Sequence, residues 1–513
     1  MDSLLVKNMR GLVFWPTFIF LAFVVVFSFI APESVSLIAN RLKGVLLNGF
    51  QNLYGWAGLG FFLLLIVAGI SPLGKVRIGG ENAKVLFNFW NWFSIALGTT
   101  TAVGILFWAC AEPVFHMSSP PESLGLTPNS EAAGRFALST LFMHWTLIPH
   151  AIYTLPALLF ALSFYNDKQP YSIGSCLYPI RLPFLGTLTD SISLFCLVVG
   201  MATSLATGVL SIGGGVAHLA GITSSSLLWV GIGGVLLILY VLSTVAGLDK
   251  GIRRLSYFNT VLFFFLILFF ICVGPTQYIF QESIASFKQF ILTFWSRSTF
   301  QAFNGGKDRW VGEWPVFYLA NWLAWAPVTG TFLGRISYGY SVRSFILMFL
   351  LVLASFGALW ISVFGTVAVH MHLVQKLPLE TLLTDRGAES VMFYILSQFP
   401  LAKWIIPIFL IGLCVSCVTA IDSNTIAMAA MSSKDVNQEN PNPSLSMKLL
   451  WGFCIACLAI AMLFSQGLNG IKTLSVLGGF PALIFEIVCA GVLVWRIFRS
   501  FKFKKVKSTG DCR

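Results

Sequence analysis

Aromatic side chains recur at two places where helical spacing would gather them. Residues 144–153 read His144-Trp145-Thr146-Leu147-Ile148-Pro149-His150-Ala151-Ile152-Tyr153, and Trp322 and Trp325 stand one helical turn apart, hence on one face. A cage of Trp and Tyr faces suits a quaternary ammonium group, which has no hydrogen-bond donor to offer. Such a cation is held by contacts worth roughly 0.5–2 kcal/mol per ring face. Large rings also pack helices together, so the pattern alone leaves both uses open.

Other chemistry-bearing residues have plainer readings. Asp422 lies inside an apolar stretch, where an acid can relay a proton, pair with a base or anchor hydrogen bonds. Glu112 reads as structural, and Asp190 as a helix N-cap. His370-Met371-His372 and Cys414-x-x-Cys417 lack the context of metal or redox sites, and both read as packing at or inside a helix. Gly213-Gly214-Gly215 has neither a preceding strand nor a Gly-Lys-Ser/Thr sequence, so no nucleotide loop and no ATP-driven pump are expected. The histidines at 116, 144, 150, 218, 370 and 372 form no catalytic spacing, and no repeated polar ring marks a channel pore. An enzyme is therefore not expected, and neither is a metal or other cofactor.

The elements that must position these residues follow from composition. Of 513 residues, 57% are hydrophobic and 10% are charged. A soluble domain has about 25% charged residues, so this chain cannot cover a water-facing surface. Its apolar residues fall into twelve blocks, near 12–31, 54–73, 87–116, 136–163, 189–219, 227–248, 255–274, 314–336, 343–370, 402–430, 447–466 and 473–496. Many have the roughly 20 residues needed to cross about 30 Å of hydrocarbon. The first is long enough to span, and no small-residue cleavage motif follows it.

With the N-terminus in the cytoplasm, 21 of the 32 Lys and Arg residues fall on the cytoplasmic side, which places both termini there. The net charge of +12 reflects this bias and calls for no nucleic acid. The tail bearing Arg496, Arg499, Lys502, Lys504, Lys505 and Lys507 serves as a topology anchor or lies on anionic membrane lipid. Most of the ten cysteines sit inside apolar spans and read as small packing residues. Segment 276–297 has helical periodicity but is too polar to span, so it is expected to lie along the outer surface.

Unwound helix is tolerated at membrane depth only where it lines a cavity. Interruptions at matching positions of two halves point to a carrier's binding site. The third span, through Leu97-Gly98-Thr99-Thr100-Thr101-Ala102-Val103-Gly104, and the eighth, through Asn321 to Gly330 with Pro327, are both expected to be interrupted. Their separation makes spans 3–7 and 8–12 two five-helix repeats, about 87–274 and 314–496, behind a two-helix prefix. The expected organisation is a cytoplasmic N-terminus at 1–11, a transmembrane domain at 12–496 and a basic cytoplasmic tail at 497–513.

These segments resemble the betaine/carnitine/choline transporter family. The similar stretches are Gly74-Lys75-Val76-Arg77-Ile78-Gly79, Phe107-Trp108-Ala109-Cys110-Ala111-Glu112-Pro113-Val114-Phe115-His116 with Pro120-Pro121, and His144-Trp145-Thr146 through Tyr153. Further along come Asp249-Lys250-Gly251-Ile252, Trp322-x-x-Trp325-Ala326-Pro327-Val328-x-Gly330 with Arg335-Ile336-Ser337, and Thr419-Ala420-Ile421-Asp422-Ser423. The resemblance implies an all-α fold of twelve transmembrane helices, with a 5+5 inverted-repeat core of the LeuT-like type. It also implies a homotrimer, a bacterial inner-membrane location and osmolyte uptake. Carried over, the aromatic box would be Trp145, Tyr153, Trp322 and Trp325. The broken third span from Thr99 to Gly104, with Thr100, Thr101 and Ala102, would meet the substrate's polar end, and Phe107 would also contact the substrate.

Five departures bear on specificity and coupling. Asn321 and His150 stand where the family commonly has Trp, which fits a smaller, more polar or less methylated solute. An amide at 321 could bond an N–H or hydroxyl that a trimethylammonium lacks. Sodium-coupled members carry a Gly-Met-Gly-Ile-Gly-like stretch where this chain has Thr100-Thr101-Ala102-Val103-Gly104. The family's paired hydroxyls are reduced here to Thr419 beside Ala420, and Met201 replaces a hydroxyl at a second ion position. Thr101 and Thr419 remain the candidate ion ligands, since a hard cation needs oxygen. The expected function is secondary transport of a betaine-like, choline-like or carnitine-like solute by alternating access. Coupling to Na+ or H+, sodium-independent exchange, and carriage of a less methylated amine or amino-acid-like solute stay open.

Overall fold

The computed structural model describes residues 8–100, 102–180, 182–246, 253–437, 440 and 442–510. Thr101 and the segment Asp249-Lys250-Gly251-Ile252 lie outside the described residues, as does the side chain of Ala102. Among the described residues all regular structure is helical, apart from isolated bridges joining Met9 to Ser433 and Arg77 to Ser341.

The longer helices run in chain order as α1 (Gly11–Ile30), α2 (Pro32–Ile70), α3 (Phe89–Thr100), α4 (Ala102–Ser118), α5 (Glu131–Trp145), α6 (Leu147–Ala161) and α7 (Pro183–Ala220). They continue as α8 (Ser226–Ala246), α9 (Arg253–Val273), α10 (Thr276–Leu292), α11 (Pro315–Arg335), α12 (Leu353–Leu373), α13 (Ala402–Met431) and α14 (Leu445–Gly510). Apolar side chains such as Leu12, Phe23, Ile30, Leu227, Val245 and Leu268 face outward. An outer apolar surface of that kind suits hydrocarbon rather than water.

Among the described residues, ten stretches can cross a membrane by length and composition, or eleven when the bent pair α3–α4 is taken as one. The last two expected spans lie in the single helical run α14, in which Leu445–Leu463 and Asn469–Lys502 each qualify. The second expected span begins much earlier than its apolar block, because α2 already starts at Pro32. At 39 residues α2 is about 58 Å long, well beyond a bilayer core. The eighth expected span forms as α11, but its polar and small residues keep it out of the apolar count. It is instead the innermost helix, with every residue buried except Asn321. It packs against α6, α7, α13 and α14.

The interruptions are only half as expected. The third span is broken, with its two pieces meeting at 60°. The eighth is continuous through Pro327, and the second break falls in the fourth span. There Thr146 (φ −120°, ψ −115°) separates α5 from α6. Pro149 has no N–H to return to the Trp145 carbonyl four residues back, and its ring crowds that carbonyl. The small residues of α11 serve contact instead of unwinding. A Cβ on Gly330 would lie 3.0 Å from Ala157 N, and one on Gly334 2.8 Å from Ala157 O, so α11 and α6 touch backbone to backbone.

The segment after Pro275 forms the amphipathic helix α10, too polar to count as a span. It buries Ile279, Ser283, Ser286 and Phe290 against α5 and α12, and presents Phe280, Ile284 and Leu292 outward. Asp190 is not an N-cap, since α7 begins seven residues earlier at Pro183. It is a buried tie that accepts from Arg10 at 2.6 Å, Ser172 at 2.8 Å and Gly174 N at 3.0 Å. Asp422 accepts from Ser243 at 2.7 Å and Thr244 at 2.9 Å, joining α13 to α8. His372 Nε2 lies 2.9 Å from Asn129 Oδ1, Gly213–Gly215 are inside α7, and the described cysteines are free.

Gly330→Val should force α11 and α6 apart, because the new Cβ meets main chain that cannot yield. Overpacking of this kind costs about 1–3 kcal/mol. The expected outcome is a clear drop in the melting temperature of the detergent-purified protein; a parental melting curve would contradict the backbone contact.

Candidate substrate site

Both helix breaks open onto one cavity of about 50 Å³. It is lined by Thr99 and Thr100 at the end of α3, Val103, Gly104 and Trp108 of α4, Trp145 at the end of α5, and Tyr153 of α6. Thr203, Ser204 and Thr207 of α7 close another side, and α11 crosses it with Phe317, Tyr318, Asn321, Trp322 and Trp325. Trp322 is the centre of the aromatic group. Its ring lies 5.7 Å from Trp145 at 73°, 4.9 Å from Tyr153 at 61°, and 5.4 Å from His150. These are edge-to-face and tilted arrangements, which aromatic quadrupoles favour over flat sandwiches.

The indoles fit because glycine faces them. A Cβ on Gly104 would come within 2.7 Å of the Trp145 ring, and one on Gly200 within 2.7 Å of Trp325 Cδ1. Trp322 Nε1 donates to the His144 carbonyl at 3.1 Å, just before the α5–α6 break. The break thus supplies the acceptor that fixes the central ring.

Behind the cavity a single carboxylate gathers the box's polar edges. Glu112, fully buried, accepts from Trp145 Nε1 at 2.9 Å and from Tyr318 O–H at 2.6 Å, both on Oε2. Its Oε1 meets His144 Nδ1 at 2.6 Å and His116 Nε2 at 3.1 Å. The three side chains have metal-ligating types with donor atoms within 4.8 Å of one another. Here both imidazoles bond the carboxylate oxygen Oε1 itself, as in a hydrogen-bond hub. Beside it, the Lys472 ammonium lies 3.5 Å over the Trp314 ring.

Of the residues expected at the site, the structure brings together Thr99, Thr100, Trp145, Tyr153, Asn321, Trp322 and Trp325. Phe107 is not in this lining; it is buried with its ring 4.8 Å from Trp108, which takes that place. Thr419 is also outside the lining. Its hydroxyl bonds Val415 O at 2.9 Å and Ser416 O at 3.1 Å, close under Gly98, while Ala420 reaches the cavity. Sequence reasoning missed Tyr318, Thr203 and Thr207. Tyr318 stands one turn before Trp322, and the two threonines are four apart in one span, so spacing alone could have found them.

A family model described as the betaine/carnitine/choline family transporter matches residues 12–504, almost the whole chain. The chain belongs to the BCCT family. This BCCT protein is 32% identical to the glycine betaine transporter OpuD of Bacillus subtilis, over 93% of this chain and 91% of that one. It is 30% identical to the ectoine/hydroxyectoine transporter of Virgibacillus pantothenticus, over 89% and 90%. A solved Na+-coupled sialic acid symporter aligns at 16% identity and a TM-score of 0.43, over 85% of this chain and 86% of that one. As a BCCT member the chain is a multi-pass membrane transporter and not an enzyme.

Glu112→Gln tests the hub. A side-chain amide keeps one acceptor oxygen and replaces the other with two N–H groups, so either Trp145 and Tyr318 face donors or both imidazoles must change tautomer to accept. Each buried group left unsatisfied costs about 1–3 kcal/mol. A lowered melting temperature and altered tryptophan emission are expected; wild-type behaviour in both would show that Trp145 holds its place without Glu112.

Proposed function

We propose that this BCCT protein is a secondary carrier of a small zwitterion or cation of the betaine type, working by alternating access. The observation that carries the reading is the packing of Trp145, Tyr153 and Trp322 against one another around a cavity reached by two helix breaks. The cationic head would sit against these rings. The acidic or hydroxyl end would meet the start of α4, where Val103 and Gly104 line the cavity and a helix N-terminus favours negative charge. One water needs about 10–15 Å³ on this measure, so the cavity holds a few waters and not a betaine. Loading a larger solute therefore requires side chains of the lining to move.

The same proposal has twelve spans, with α11 crossing the bilayer inside the bundle, and inverted repeats at about 87–274 and 314–496. Both termini are cytoplasmic, on the distribution of Lys and Arg, in a bacterial inner membrane. The basic tail at 497–513 is cytoplasmic and serves as a topology anchor, and the carrier is a homotrimer in keeping with its family resemblance. Coupling is to Na+ or H+, with Thr101 and Thr419 the candidate ion ligands. Sodium-independent exchange is the second reading, supported by Ala420 beside Thr419 and by Met201.

Uptake of radiolabelled glycine betaine, choline and carnitine into proteoliposomes, with and without sodium and proton gradients, tests these readings. Gradient-driven accumulation is expected, with the half-saturating concentration raised about tenfold or more by Trp322→Ala, the equivalent of one strong ring contact. Transport only into solute-preloaded vesicles would favour exchange. Uptake indifferent to Trp322→Ala would remove the box from the mechanism.

A further inference from the structure

Asn321 is the one residue of α11 that is not buried, and its side chain lies between the cavity and two hydroxyls. Thr203 Oγ1 is 3.3 Å and Ser475 Oγ 3.2 Å from its amide oxygen. A hydroxyl owns a single proton. The shorter contact of Thr203 is with Gly200 O at 2.7 Å and that of Ser475 with Ile471 O at 2.9 Å, which assigns each proton to its own helix. Neither has a proton left for Asn321, so an amide oxygen there would face two oxygens with no hydrogen between them. The two ends of a carboxamide have the same shape, and hydrogen bonding decides which is which. Turning the amide by half a revolution aims its two N–H donors at the two hydroxyl lone pairs and satisfies all four groups.

We infer that Asn321 donates through Nδ2 to Thr203 and Ser475, and that its Oδ1 faces the cavity as a fixed acceptor selecting solutes that carry at least one N–H on their cationic nitrogen. The surrounding hydroxyls reinforce this bias. Thr99, Thr100 and Thr207 also line the cavity, and each gives its proton to its own helix, at 2.8 Å to Ile95 O, 2.9 Å to Ala96 O and 2.8 Å to Thr203 O. All three present lone pairs. A trimethylammonium cannot bond any of these oxygens, whereas a dimethylammonium or an amidinium supplies the missing donor while keeping its charge against the rings. A charge-assisted hydrogen bond of this kind is worth about a tenfold difference in affinity.

This inference rests on the transport reading, and its test separates the two. Binding of glycine betaine, N,N-dimethylglycine and sarcosine to the purified protein is followed by tryptophan fluorescence; the three differ only in how many methyl groups are replaced by hydrogen. The wild-type protein is expected to bind dimethylglycine about tenfold more tightly than glycine betaine. Asn321→Leu should shrink that ratio markedly, leaving the smaller share carried by the threonine oxygens. Because the variant strands two hydroxyls, the double substitution Thr203→Val with Ser475→Ala is measured beside it. The double variant frees the amide to turn and should also shrink the ratio. A wild-type preference for glycine betaine, or a ratio unchanged in both variants, overturns the inference while leaving the carrier intact. Failure of all three solutes to bind the wild-type protein overturns the transport reading and this inference with it.

Discussion

The arrangement depends on one buried carboxylate. Taking Glu112 out of water is costly unless its oxygens are matched by donors, and four donor groups from three helices match them. His116 stands on the same helix as Glu112, His144 and Trp145 end α5, and Tyr318 belongs to α11. Satisfying one side chain therefore fixes the relative positions of α4, α5 and α11. Two of the donors are rings that line the cavity, so the demand that holds the helices together also sets the box. It is a positioning role: Glu112 itself is not in the cavity lining.

The second constraint is that breaks must be reconciled with backbone hydrogen bonding in a place without water. At the α5–α6 junction the His144 carbonyl accepts from Trp322 Nε1. The Trp145 carbonyl lies close under Gly357, where a Cβ would come within 2.7 Å. The break is thus paired on one side by a box residue and covered on the other by a small one. α11 runs unbroken between the two interrupted spans, and its contact with α6 through Gly330 and Gly334 makes it the rigid member against which the broken pieces are set.

How far the sequence could be read follows from which signals are local. Apolar blocks of span length are local, and so the helical membrane architecture and most of its spans were legible. The eighth was legible as a block but fell outside the apolar count because an inner helix needs no lipid-facing residues. Tryptophan in mid-span is unusual, and Trp145, Trp322 and Trp325 could be picked out for that reason. Proline and glycine are ambiguous: Pro149 breaks its helix whereas Pro327 does not, and Gly330 marks close packing. What distinguishes them is the neighbouring helix, which no local pattern shows. Ser475 was illegible for the same reason, since its link to Asn321 joins residues 154 apart in the chain.

The hydroxyl orientations around Asn321 follow from that membrane setting. In water a hydroxyl has a ready supply of partners; inside a bundle it turns its proton to its own helix, as the threonines of α3 and α7 do. A cavity walled by such residues is rich in lone pairs whatever its overall charge. Aromatic faces and lone pairs both favour a cation, but only lone pairs distinguish an N–H from an N–CH3. On the proposed reading, the rings of this site would select charge, and the acceptors beside them, Asn321 foremost, would select the degree of methylation.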